Sequence, residues 1–362
     1  SLSDKTRNGV YKFMANVGYA DLYALKLDKR GVSKVSGRVN ANYMTVKRGD
    51  IIGDIDISEI HLENKDGRKA IGNVSVKSHS NENIHRVNFS SDFADASFVG
   101  NKAMIDMVKD IEELTLGRNI PSLLESGRKG WKGERYDVNI DFHDSRDLMK
   151  FALPGMYIAD STKAILKVDA NGILTAFVSS PRIAWMRNSA KDFSLHLDNA
   201  GENLSGGISS SGIGLSGISL NESSLSFRAR NDTVSIDYSF DNGSASEGMG
   251  NLSLEGIFGR NANSLLSIEG KTGPSRICYD NSMWELVPSG FLIRDGDVMV
   301  DNLFLRNGRQ QLSVNGTYST KESGNLLIKL DDLNLGILNT ILGKDMDIYS
   351  VASGKASLKS PL

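Results

Sequence analysis

Several stretches of this sequence carry residues whose types and spacing match known chemistry. Gly212-Ile213-Gly214-Leu215-Ser216-Gly217 fits the G-x-G-x-x-G pattern of dinucleotide sites letter for letter. That site needs a helix after the glycines, because the helix N-terminal N–H groups hold the pyrophosphate. Here residues 218–230 alternate apolar and polar like a strand, so glycine-rich turn chemistry is expected instead. Gly270-Lys271-Thr272 resembles the end of a phosphate-binding loop, but the loop's first glycine falls at Leu265. Asp141 and His143 could point to one face and ligate a metal, yet Asp144 beside them reads as a helix cap. The other histidines (His61, His79, His85 and His196) include no pair at helical metal spacing. Arg48-Gly49-Asp50 reads as a hairpin tip, and no serine sits in a G-x-S-x-G elbow. Nothing assembles a nucleophile, a base and an orienting group, so neither catalysis nor a cofactor nor a metal is expected.

The totals agree with a non-catalytic β chain. A net charge of -2 over 362 residues gives no electrostatic reason to expect nucleic acid. Glycine is abundant (36) and proline scarce (6), which suits many strands joined by glycine turns. Cys278 is the single cysteine, so no intramolecular disulfide can form. No apolar run is long enough to cross a bilayer, and residues 1–9 lack the apolar core of a signal peptide. Both ends read as boundaries within a longer chain, with any export signal or anchor outside it.

Period-two alternation dominates. Tyr136, Val138, Ile140 and Phe142 alternate with Asp137, Asn139 and Asp141, which puts the apolar set on one strand face. The pattern recurs at Val234, Ile236, Tyr238 and Phe240, at Leu252 and Leu254, and at Leu312 and Val314. Asp66-Gly67, Asn171-Gly172, Asp295-Gly296 and Asn307-Gly308 supply the positive φ angles that tight hairpins need. Strands at about ten-residue spacing with such turns predict an antiparallel, mainly β chain. Helices are expected at residues 101–114, with Met104, Met107, Val108, Ile111 and Leu114 on one side, at 144–151, and at 335–342. The last two helices each lead to Met-x-Ile (Met156 to Ile158, Met346 to Ile348) and then a Lys-Ala strand start, which hints at a repeated unit.

The segment Asp301-Asn302-Leu303-Phe304-Leu305-Arg306-Asn307-Gly308-Arg309-Gln310-Gln311-Leu312-Ser313-Val314-Asn315-Gly316-Thr317-Tyr318-Ser319 resembles the C-terminal region of the TamB family. The likeness continues through Leu326 to Leu330, Leu333-Asn334-Leu335 and Gly354 to Leu358. Residues 146–194 are similar to another module of the same AsmA-like superfamily, and residues 92–100 to a junction in those proteins. The resemblance implies a periplasmic β-structure of a Gram-negative bacterium, anchored in the inner membrane by a helix outside this chain. It implies a long curled antiparallel sheet, a trough with an apolar inner face. It also implies phospholipid or another acyl-chain lipid as ligand, an outer-membrane β-barrel assembly partner, and a part in outer-membrane biogenesis. Three regions follow: 1–130, an N-terminal β region with one amphipathic helix; 131–300, a central AsmA/TamB-like module; and 301–362, the start of a further module.

A strand with one apolar face must bury it against another layer or a ligand, and acyl chains could be that ligand. The same alternation also makes an ordinary β-sandwich core, which leaves an extracytoplasmic binding module (an adhesin or glycan binder) as the alternative. Val138, Ile140, Phe142, Ile165, Phe177, Leu195, Leu197, Ile236 and Leu312 are the expected groove lining, each taken from the apolar phase of an alternating run. Residues 200–222 are unusually rich in glycine and serine, and a continuous apolar lining is least expected there.

Overall fold

A computed structural model describes residues 9–29, 33–45, 51–81, 84–124, 130–215, 218–243, 248–261, 264–279, 281–335 and 350–360. The chain is mainly β, every strand pairing is antiparallel, and the α-helices are short. It divides into two compact units, residues 1–111 with 131–186, and residues 112–130 with 187–362.

The first unit holds β1 (Gly9–Asp21), β2 (Ser33–Thr45), β3 (Ile51–Asn64), β4 (Gly67–Ser80), β5 (His85–Ser91) and β6 (Ala94–Gly100). Helix α1 (Met104–Glu112) follows, then β7 (Tyr136–Phe142), α2 (Arg146–Ala152), β8 (Met156–Ile158), β9 (Lys163–Val168) and β10 (Leu174–Trp185). Consecutive strands pair from β1 to β7, then β7 pairs with β9 and β9 with β10, while β8 joins the far end of β10. Hairpin geometry explains this simple order. Asp66-Gly67 closes β3 onto β4 with Gly67 at φ +112°, a backbone region that L side chains rarely adopt.

The second unit holds β11 (Asn188–Asp198), β12 (Leu204–Leu215), β13 (Ile218–Arg230), β14 (Thr233–Asp241), β15 (Met249–Arg260) and β16 (Leu266–Thr272). It continues with β17 (Ser275–Tyr279), β18 (Ser282–Val287), β19 (Gly290–Arg294), β20 (Asp297–Asn307), β21 (Gln310–Tyr318), β22 (Asn325–Asn334) and β23 (Val351–Lys359). The two halves of β15 pair with β16 and β17, and the two halves of β20 pair with β19 and β18. A π-helical turn (Glu113–Gly117) and a 3₁₀ turn (Pro121–Leu123) belong to this unit as well.

Three local expectations change. The helix expected over 101–114 is α1 followed by the π turn, and the wider turn takes Leu114 out of the Met104 and Val108 stripe. Leu114 is fully buried while Met104 and Val108 face solvent. The second helix starts at Arg146 with Ser145 as N-cap, one residue after Asp144. Asp144 instead ion-pairs with Arg146, whose guanidinium holds the carboxyl down to about 2. Residues 336–342 of the third expected helix, Met346 to Ile348, and Arg48-Gly49-Asp50 lie outside the described residues.

Candidate apolar groove

Cross-strand partners in an antiparallel pair share one face, so the register sorts every strand residue into rows. In the first unit one row runs Phe13, Ala41, Ile55, Val76, Phe89, Ala96, Ile140, Ala164, Val178 across nine strands without a polar residue. A parallel row on the same face contains Val87, Phe98, Val138, Leu166 and Ala176. Phe142 stands beside them as the partner of Ala94. The opposite face is mostly polar, with Lys12, Asn42, Asp54, Lys77, Asn88, Ser97 and Asn139 as one of its rows, although Val10, Met44 and Ile52 pair on it at one end.

That polar row ends on Ile165, the partner of Asn139, and Phe177, the partner of Ile165. Both therefore lie on the face opposite Val138, Ile140 and Phe142, at 37% and 42% exposure. Their placement in the lining is corrected. The in-phase apolar residues of β9 and β10 are Ala164 and Leu166, and Ala176 and Val178.

The second unit repeats the arrangement. Leu195, Ile208, Leu225, Tyr238 and Leu252 form one row, and Leu197, Gly206, Phe227, Ile236 and Leu254 the next. A longer row runs Ala229, Val234, Gly256, Gly270, Phe291, Val300, Gly316, Leu326 and Leu358. Leu312 is on this face too, two and four residues from Val314 and Gly316, and it pairs with Leu305 and Leu330. Leu195, Leu197, Ile236 and Leu312 thus share one face of their unit, as Val138, Ile140 and Phe142 share one face of theirs.

Glycines do not interrupt these rows. A Cβ added at Gly206 would meet the Phe227 ring at 2.6 Å, and one at Gly270 would meet the Phe291 ring at 2.3 Å. Each ring therefore lies over the glycine of its neighbouring strand and covers the gap with aromatic carbon. The glycine- and serine-rich segment still contributes Leu204 and Ile208 to the apolar face.

A sandwich core would bury such rows completely. Here Ile55, Val76, Phe89, Ile140, Leu195, Ile208, Leu225, Phe227, Ile236 and Leu254 are all only half-buried. Full burial occurs where other elements lie over the sheet, and also at Ala41, Phe98, Val168 and Leu174 of the first unit and Cys278, Trp284 and Leu333 of the second. In the first unit, α2 brings Leu148 and Phe151 onto Ile60, Leu62 and Ile71 at one end of the strands. In the second, Leu116, Ile120 and Leu123 of the helical turns pack on Leu204, Ala229, Val234 and Phe258. Hydrogen bonds fix that plug: Leu204 N–H donates to Asn119 Oδ1 (3.0 Å), Asp232 N–H to Asn119 O (2.8 Å), and Ser122 N–H to Asp232 Oδ1 (2.8 Å).

The motifs that suggested chemistry resolve locally. Gly212 and Gly214 sit inside β12, and strand β13 follows rather than a helix. His143 Nε2 lies 3.1 Å from Asp95 Oδ2, and Ser90 Oγ–H donates to Asp95 Oδ1 at 2.7 Å. The carboxylate sits between hydroxyl and imidazole, whereas a nucleophile needs the imidazole next to it. The hydroxyl bond, then His143, hold the Asp95 carboxyl below its usual range. No group of three or more His, Cys, Asp or Glu suited to a metal gathers among the described residues. One contact went unseen in the sequence: Ser80 Oγ lies 2.7 Å from His85 Nδ1 across the β4–β5 hairpin. The helical plug was also missed, although Leu116, Ile120 and Leu123 recur at three- and four-residue steps. No family model, no curated protein and no solved structure matches this chain.

Proposed function

We propose that this chain is a non-enzymatic segment that holds phospholipid acyl chains against the apolar faces of its two units. The observation that carries this is the apolar row across nine strands in each unit, whose large side chains stay half-buried or exposed where a closed core would seal them. Each buried CH₂ of a lipid would gain about 0.8 kcal/mol there, so hydrocarbon suits the face better than any hydrated ligand. The resemblance of residues 301–319, 326–330 and 333–335 to the TamB family adds the setting. The chain then works in the periplasm of a Gram-negative cell, in a protein held at the inner membrane. It serves outer-membrane biogenesis beside an outer-membrane β-barrel assembly partner, with no role for nucleic acid. Native mass spectrometry of the purified chain tests the central claim. Co-purified phospholipid, or uptake of added phosphatidylethanolamine at defined stoichiometry, is expected. A chain that carries and takes up no lipid would end the proposal.

A further inference from the structure

The connection between β1 and β2 does not look like a solvent turn. Residues 22–28 read Leu-Tyr-Ala-Leu-Lys-Leu-Asp, where turns normally collect Gly, Pro, Asn, Asp and Ser. Tyr23, Leu25 and Leu27 are 55%, 58% and 74% exposed, and Tyr19 on the last turnward stretch of β1 is 70% exposed. The β1–β2 register shifts between Val17 and Ala20, a bulge that accounts for the outward Tyr19.

This exposure is built rather than loose. Leu25 N–H donates to Asp21 O (3.0 Å), Lys26 N–H to Tyr23 O (3.0 Å), and Leu27 and Asp28 N–H both to Leu22 O (2.8 and 3.0 Å). Leu22 N–H donates to Ser33 O (2.8 Å), Ala24 N–H to Asp21 Oδ1 (2.9 Å), and Ser33 Oγ–H to Asp28 Oδ2 (2.8 Å). Nearly every backbone N–H of the turn is thus satisfied within it. That is the condition for entering hydrocarbon, where an unpaired backbone group costs several kcal/mol. Two phenol rings beside two leucines match the polar-apolar boundary of a bilayer, since tyrosine keeps one wet end. Asp21 and Asp28 oppose Lys26, Lys29 and Arg30, a net charge of only +1, so the leucines and tyrosines rather than charge supply the main attraction. A protruding apolar tip of this kind suits a fluid, deformable phase better than the preformed pocket of a folded protein.

We propose that the β1–β2 turn is a membrane-contact tip that dips Tyr23, Leu25 and Leu27 into the interface of a lipid bilayer. It does not rest on the groove reading, because adhesion to a bilayer and capture of single lipids are separate measurements. The test is flotation with phosphatidylcholine vesicles, comparing the parent with a Leu25→Asp/Leu27→Asp double variant. The two leucines are exposed, so the double variant should keep the parent's circular dichroism. The parent is expected to float and the variant to lose at least about tenfold of its bound fraction. Raising the salt from about 0.1 M to 1 M, which shortens the screening length threefold, should leave parent binding unchanged. A Tyr23→Trp variant, which leaves both leucines in place, should add emission quenched by brominated lipid over that of the parent. No flotation of the parent, equal flotation of the double variant, release by salt, or no added quenching would each overturn the proposal. Capture of a protein without vesicle binding would do so too.

Discussion

Replacing Ile140 by Asp separates an open apolar face from a sealed core. Ile140 stands in the long row of the first unit between Ala96 and Ala164, and its side chain is half-buried. Full burial of an isoleucine is worth about 1.5–3 kcal/mol, so a half-buried one forfeits about 1–2 kcal/mol when its methyls go. On an open face water reaches the new carboxylate, and no buried-charge cost is added. For a unit of this size that lowers the melting temperature by roughly 2–8 °C. Leu174, partner of Val168 in the same sheet, is 0% exposed and provides the comparison. Leu174→Asp places an unpaired charge in a dry site and should exceed about 4–5 kcal/mol, enough to unfold the unit. The assay is thermal unfolding by circular dichroism for parent, Ile140→Asp and Leu174→Asp, with bound phospholipid counted by native mass spectrometry. Ile140→Asp should stay folded and lose lipid; Ile236→Asp should behave alike in the second unit. If Ile140→Asp collapses as completely as Leu174→Asp, the face is a closed core and the reasoning fails.

Burial, then the hydrogen bond to Asp110, pushes the Tyr136 phenol well above its ordinary value, and Phe98 stacks at a tilt beside it. The folded chain therefore keeps this proton longer than the unfolded chain. The stabilisation is whole below about pH 10 and declines as pH rises beyond it; Tyr136→Phe should flatten that decline in alkaline denaturation followed by absorbance at 295 nm. The Ser80–His85 contact should support no turnover of activated acetyl esters; reproducible hydrolysis abolished by Ser80→Ala would contradict the non-enzymatic reading.

Alternation made the strands legible, but it could not always fix which side of a strand faces which way. Residues 136–142 alternate cleanly, and their phase was readable. In β9 the run Ala164-Ile165-Leu166 is apolar at three successive positions, so either phase fits period two. The phase there is set by the partner: Ile165 meets Asn139 and Ala164 meets Ile140. In β10 the bulky Phe177 drew attention from Leu174, Ala176 and Val178, which hold the apolar phase with less volume. Register is a long-range property, and one residue's slip exchanges the faces of a whole strand. The plug at 113–123 was hidden for a different reason. Leu116, Ile120 and Leu123 keep helical spacing, but Gly117 and Pro121 interrupt the span, which forms π and 3₁₀ turns instead of one helix.

One regularity was present in the sequence all along and explains how the apolar rows survive over such long strands. In β3, β20 and β22 the apolar step lengthens from two residues to three, at Ile57 to Ile60, Val300 to Leu303 and Leu330 to Leu333. Simple alternation would send the second member of each pair to the polar face. Instead the register shifts at all three places, and Glu59, Asn302 and Asp332 take positive φ angles there (54°, 51° and 46°). The extra residue is absorbed in a bulge, so Val300 and Leu303 stay on one face opposite Gly316 and Val314. Polar partners stabilise the bulges: Glu59 N–H donates to Asn73 Oδ1 at 3.2 Å, and Asp332 N–H to Ser353 Oγ at 2.8 Å. Bulges also bend a strand and raise its local twist. A three-residue apolar step around an acidic or amide residue is thus a legible sign that a strand is bent while its apolar face is kept. Any strand that must curl while keeping its apolar side turned one way, in an open sheet or in a closed sandwich, can use that combination.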